Sequence, residues 1–293
     1  MRVAVAGPGL MGSQIGVEYA LGGHDVVFVG RDLGAARERI ARAFAVAADA
    51  GISGDGAIAA GRERVAVSDD LAAIGSDCGL VVESIAEDLG AKGPLLAEAG
   101  RIAPGAVLAS NTSSLSILAI GESGGFPERT IGTHYGNPAL LMPLVEVIVT
   151  ERTAPGTAEP VEAALRAMGK RPVRVSKDVP GFLWNRMQLA LLREAVWLAE
   201  NGVAAPEDID LVVRDAMARR WRQTGPFETA ALGGAAIFER IAGNLWPELS
   251  NADSLSGLRR WLPGEQDDLG DLRERRDRAL AADLRRDLED GDR

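Results

Sequence analysis

Two histidines occur in the 293 residues, His24 and His134, and one of them stands in a setting suited to proton transfer. His134 lies in Gly132-Thr133-His134-Tyr135-Gly136-Asn137-Pro138, at the end of a short run that reads as a strand. Removing a hydride from an alcohol carbon requires loss of the hydroxyl proton. An imidazole, which titrates near neutrality, is well matched to take it. The imidazolium so formed needs a carboxylate beside its other nitrogen. Glu146 supplies one, inside the otherwise apolar run Leu144-Val145-Glu146-Val147-Ile148-Val149. An acidic residue in such a run wants a partner. Spacing alone leaves two readings open: a His–Glu acid–base pair, or a satisfied core histidine and an edge-strand glutamate. His24, in Gly22-Gly23-His24-Asp25, reads as part of a turn.

A second constellation is Gly7-Pro8-Gly9-Leu10-Met11-Gly12. It follows an apolar run at 3–6 and opens a helical pattern at 10–21, the context in which G-x-G-x-x-G binds a dinucleotide. Gly7 permits the tight turn, Gly9 lets the backbone approach a pyrophosphate, and Gly12 lets helix and strand pack closely. The helix N-terminus offers its free amides to the phosphates. In NAD enzymes the next strand ends in an acid that holds the ribose hydroxyls. Here it ends Val29-Gly30-Arg31-Asp32. Gly30 removes the carboxylate and Arg31 adds a cation suited to a 2′-phosphate. Asp32 is close enough to hold the ribose or to neutralise Arg31. The cofactor expected is therefore NAD or NADP, with a slight lean to NADP.

These residues need a frame. Strand runs at 26–29, 65–67, 79–82, 106–109 and 130–132 alternate with alanine-rich helical stretches such as 33–50. That alternation predicts an α/β fold with a Rossmann-type doubly wound parallel sheet. Residues 144–149 and 173–175 read as closing strands. After Asp178-Val179-Pro180-Gly181 the strand signal ends, and helices are expected at 182–200, 208–219 and 235–244. The division expected is a dinucleotide-binding domain at 1–177 and an all-α substrate and dimerisation domain at 178–293. The charged stretch 264–293 carries Leu280, Leu284 and Leu288 four residues apart, and reads as a solvated helix or a frayed tail.

Taken together, several segments resemble the L-3-hydroxyacyl-CoA dehydrogenase family. They are the glycine turn, Val82-Glu83-Ser84-Ile85-Ala86-Glu87-Asp88-Leu89 with Lys92, Ala109-Ser110-Asn111-Thr112-Ser113-Ser114-Leu115, and His134 through Asn137-Pro138 to Glu146. Pro180-Gly181-Phe182 with Asn185-Arg186, and Gly225-Pro226-Phe227-Glu228, extend the likeness to about residue 240. The resemblance implies a dehydrogenase, usually a dimer joined through its helical domain, acting on a small acyl substrate carried as a CoA thioester. It implies His134 as base, Glu146 as its orienting partner, and Ser113 and Asn185 as donors to the substrate oxygen. It places Glu87, Lys92 and Asn137 along the nicotinamide half of the cofactor. Asn185, just past the domain boundary, is placed to reach an inter-domain cleft. Local capping is the alternative for Ser113 and Asn185.

Three departures matter, and the last two bear on the substrate. The acid after the second strand is missing, no Asp stands at Ala230 or Ala231, and the C-terminal Gly-Lys-Gly-Phe-Tyr-like segment of the family's short-chain-acting members is absent. Dehydrogenases of free hydroxy acids, of the gulonate and carnitine type, therefore stay in view. So do enzymes taking the acyl group from a carrier protein, and a non-catalytic dinucleotide-binding protein.

The net charge of −10 argues against nucleic acid and anionic membrane as main partners. One cysteine, Cys78, allows no internal disulfide and no cysteine-based metal site, and no metal is expected. The N-terminus enters a strand directly, and no apolar run would span a bilayer, so a cytoplasmic protein is expected. All five tryptophans, Trp184, Trp197, Trp221, Trp246 and Trp261, fall in the range of the helical domain, as its core or as an interface.

Overall fold

The computed structural model describes residues 1–254, 258–262 and 269–289. Two compact units emerge. The first runs from Met1 to Leu183 and takes in the C-terminal helix, and the second begins at Trp184.

The first unit is an eight-stranded sheet in the order β3-β2-β1-β4-β5-β6-β7-β8. Its strands are β1 (Arg2–Ala6), β2 (Asp25–Val29), β3 (Val65–Ser68), β4 (Leu80–Glu83), β5 (Val107–Ser110), β6 (Thr130–Tyr135), β7 (Leu144–Ile148) and β8 (Arg171–Val175). The helices between them are α1 (Leu10–Leu21), α2 (Leu33–Asp49), α3 (Asp55–Glu63), α4 (Leu89–Ile102), α5 (Ile117–Gly124) and α6 (Glu159–Ala167). The central strands carry apolar side chains on both faces because helices cover both. In β1, Val3 and Val5 join the core beneath α1, while Ala4 joins the opposite core with Leu96 and Leu108. Each large side chain enclosed in this way contributes roughly 1.5–3 kcal/mol.

The sheet departs from an all-parallel one at a single point that matters for the site. β7 runs antiparallel to β6, whereas β8 is parallel to β7. The link at 136–143 is too short for a parallel crossover, which needs about a dozen residues. The chain must reverse, and its reversal sets His134 opposite Glu146 in the register.

The second unit carries α7 (Trp184–Glu200), α8 (Pro206–Val212), a wider helical turn at Val213–Ala218 running into α9 (Arg219–Trp221), α10 (Pro226–Gly233) and α11 (Ala235–Leu245). The helix expected from 182 starts at Trp184 instead. Phe182 has a φ of +50°, which no right-handed helix accommodates.

The division is expected at 177, with everything beyond it in one helical domain. The first unit extends to Leu183, and α12 (Gly270–Glu289) returns to it. Ala281 packs with Ala50 and Leu141, Leu284 is buried, and the Arg285 guanidinium donates to the Ala50 carbonyl at 2.5 Å. The narrow leucine stripe thus marks a docked helix rather than a tail. Residues 264–268 and 290–293 of that stretch lie outside the described residues. No helix among the described residues is long and apolar enough to cross a membrane.

Candidate active site

The C-terminal ends of β1, β4, β5 and β6 share one edge of the sheet, because these strands are mutually parallel. Ligands of open α/β sheets sit along this edge. β1 ends in the glycine turn. Gly7 has a φ of +94°, and a Cβ there would meet the Ser84 carbonyl oxygen at 2.6 Å. A Cβ on Gly12 would fall 2.1 Å from the Gly7 oxygen, so only glycine lets α1 start this close. Gly9 is different: nothing lies within 4 Å of its would-be Cβ. Its bare backbone faces an open groove of about 530 Å³, lined also by Leu10, Met11, Ser84, Glu87, Asn111 and Ser113. A pyrophosphate fits such a cradle against the amides of α1.

At the end of β2, Arg31 and Asp32 are exposed. The Asp32 carboxylate accepts from the Ala35 amide at 3.0 Å and caps α2, and this cap orients it toward its own helix.

β4 and β5 end in a buried polar cluster. Glu83 accepts from the Lys92 ammonium at 2.7 Å, the Ser110 hydroxyl at 2.5 Å and the Ile85 amide at 2.7 Å. Lys92 is only 1% exposed and also reaches Glu87 at 3.4 Å. Lys92, expected to line the nicotinamide, is enclosed between Glu83 and Glu87. Glu87 Oε1 accepts from the Thr112 hydroxyl, the amides of Ser113 and Ser114, and the Ser114 hydroxyl, all within 2.9 Å. Partial burial alone would raise the Glu87 carboxyl, but these hydrogen bonds outweigh it and hold the group at about 2. Glu87 therefore anchors the loop that presents Ser113.

β6 and β7 bring together the residues of the first constellation. His134 Nδ1 donates to Glu146 Oε2 at 2.6 Å, and both side chains are buried. The other oxygen, Oε1, accepts from the Leu183 amide at 2.8 Å, so the carboxylate is held at both ends. The Phe182 ring packs on the imidazole, with centroids 5.6 Å apart. A carboxylate at Nδ1 selects the tautomer with its proton there and leaves Nε2 for exchange. Asn137 is exposed on the following link. Asn185 lies in the first turn of α7, in the second unit.

Sequence reasoning missed Glu83, Ser110, Phe182 and the structural use of Asn111, whose Oδ1 accepts from the Tyr135 amide at 3.1 Å. A charged residue ending an apolar strand was the available signal for Glu83, as it was for Glu146. Nothing local marks Phe182 as a neighbour of His134. Among the described residues no cluster of side chains could hold a metal ion.

A glycine turn and a buried histidine–glutamate pair on one edge of a Rossmann sheet fit the architecture of a dinucleotide-dependent dehydrogenase. The chain belongs to the 3-hydroxyacyl-CoA dehydrogenase family: the model of the family's NAD-binding domain matches residues 2–179, and that of its C-terminal domain matches residues 181–256. The cofactor is accordingly NAD. Among relatives, 5-formyl-3-hydroxy-2-methylpyridine 4-carboxylate 5-dehydrogenase of Mesorhizobium japonicum is 34% identical over 88% of this chain and 84% of its own. Human mitochondrial hydroxyacyl-coenzyme A dehydrogenase is 36% identical over 73% of this chain and 70% of its own. The crystal structure of a 5-formyl-3-hydroxy-2-methylpyridine 4-carboxylic acid 5-dehydrogenase, an NAD⁺-dependent dismutase, superimposes with a TM-score of 0.86 at 30% identity, covering 100% of this chain and 99% of that one.

Proposed function

We propose that the protein transfers a hydride between NAD and the hydroxyl-bearing carbon of a small substrate, with His134 exchanging the hydroxyl proton. The observation that carries this reading is the 2.6 Å contact between His134 and Glu146 on the edge where the glycine turn ends. Bound NAD supplies the hydride acceptor. Gly7, Gly9, Leu10, Met11 and Gly12 hold its pyrophosphate, Gly30 and Arg31 flank its ribose, and Glu87 and Asn137 border its nicotinamide. In oxidation, Nε2 of His134 takes the hydroxyl proton while Glu146 stabilises the imidazolium; in reduction the proton returns. Ser113 and Asn185 donate hydrogen bonds to the substrate oxygen. A homodimer formed through the helical unit, in the cytoplasm, completes the reading. Phe227, Leu232 and Trp246 are 89%, 79% and 73% exposed in that unit, which supports use as an interface over use as its core.

The substrate placed first is a small free carboxylate bearing the alcohol or aldehyde. The likeness to a pyridine-carboxylate dehydrogenase over the whole chain supports it. The family name and the human relative support the second reading, a 3-hydroxyacyl-CoA thioester. NADH consumption with acetoacetyl-CoA, set beside NAD reduction with L-carnitine, other free hydroxy acids and hydroxymethyl or formyl pyridine carboxylates, tests both. Turnover of a free acid with none of acetoacetyl-CoA is the expected result. The reverse pattern reinstates the thioester, and turnover of neither class by a protein that binds NADH overturns the catalytic reading.

A further inference from the structure

The link between β6 and β7 is held from outside the site by a buried ion pair. Lys170, just before β8, is 6% exposed, and Glu18 on α1 is 8% exposed. The Lys170 ammonium donates to Glu18 Oε1 at 2.7 Å and to the carbonyl oxygens of Ala139 and Met142 at 2.8 Å each. An ammonium has three protons, and each has an acceptor. One turn earlier on α1, the Gln14 side chain accepts from the Leu140 amide at 3.3 Å. The Arg171 amide donates to the Pro143 carbonyl at 2.8 Å. Residues 139–143 are therefore fixed at four points by α1 and the start of β8. On one side this link joins His134 and exposed Asn137, and on the other it joins Glu146.

Burial pushes the Glu18 carboxyl up, against the pull of Lys170. Such a pair is a poor source of stability, since apolar residues of similar volume often serve as well. Its geometry offers a different reason for its presence. A point charge that grips two carbonyls fixes the path of a reversal whose length sets the spacing of the acid–base pair. Leu284 and Leu288 of α12 border the cavity beside it, together with Leu140 and Met168.

We infer that Lys170, with Glu18 and Gln14, is a positioning residue of the active site: it locks the β6–β7 reversal and so the contact between His134 and Glu146. This rests on the proposed role of His134 only for its effect on turnover. The primary readout is therefore spectroscopic. With two histidines in the chain, the Nδ1 proton of His134 can be followed by ¹⁵N-resolved NMR, with His24 as internal control. The double substitution Glu18→Leu with Lys170→Met removes both charges and avoids stranding one. The expected result is a folded protein whose His134 Nδ1 proton signal is shifted upfield or broadened, with kcat about ten- to a hundredfold lower on the substrate found above. A folded double variant with the parental His134 signal, or with parental kcat, overturns the inference. If that variant does not fold, Gln14→Leu leaves the ion pair intact and cuts only the bond to Leu140. It should move the same signal in the same direction, and an unmoved signal overturns the inference. Should His134→Gln keep its turnover, the base reading fails, while the NMR result still decides the clamp.

Discussion

A Cβ on Gly30 would lie 2.6 Å from Cδ of Pro8. The proline of the glycine turn and the residue closing β2 thus occupy one space, and a carboxylate cannot be added to β2 while that proline is present. Gly30→Asp alone is expected to weaken NADH binding and lower the melting temperature. Combined with Pro8→Ala, it should bind NADH normally and discriminate against NADPH about tenfold more than the parent, as one or two charge-assisted hydrogen bonds would give. Fluorescence titration with both cofactors measures this. Because Arg31 is exposed and flanks the ribose in this reading, Arg31→Ala is expected to weaken NADPH binding more than NADH binding. A Gly30→Asp protein indistinguishable from the parent would show that Pro8 yields.

His134→Gln is expected to lower kcat by about two to four powers of ten, the usual worth of a general base. Glu146→Gln should lower it in the same sense, since an amide cannot stabilise an imidazolium. NADH binding should persist in both variants. Steady-state kinetics beside cofactor titration separates the two effects, and near-parental kcat in His134→Gln would exclude it as the base.

Glu87 gives a pH signature of stability. Its carboxyl is held at about 2, below its unfolded value near 4.5. A depressed carboxylate stabilises the fold above its unfolded pKa, and that contribution disappears as pH falls through the folded one. The stability gap between the parent and Glu87→Gln should therefore be constant above about pH 5 and close between about pH 4.5 and 2. Urea midpoints across this range test it, and a gap independent of pH would mean that the four donors do not depend on the charge.

The helical unit should associate. Light scattering at micromolar concentration is expected to give a dimer mass, and Phe227→Asp with Leu232→Asp a monomer. A monomeric parent would leave those exposed side chains without the partner proposed.

Much of this was legible from local pattern. A strand, a glycine turn and a helix within the first thirty residues dictate a dinucleotide cradle, because glycine spacing and apolar periodicity are local properties of the chain. The alternation of strand and helix fixes the Rossmann class in the same way. The Glu146 signal was local too: a charge in an apolar strand must find a partner.

What the tertiary structure alone decided was which partners meet. The sequence could not say that β7 reverses against β6 in the one register that sets His134 opposite Glu146, since a slip by one residue would turn every side chain to the other face. Nor could it place Lys92 under Glu83, or make Glu87 the anchor of the Ser113 loop. Asp32, seen in sequence as a ribose ligand or a counter-charge to Arg31, accepts from the Ala35 amide and caps α2. The leucine stripe of α12 specified a helix with one apolar face. Only packing chose its surface, because burial energy has no direction and goes to whichever complementary face the fold brings within reach.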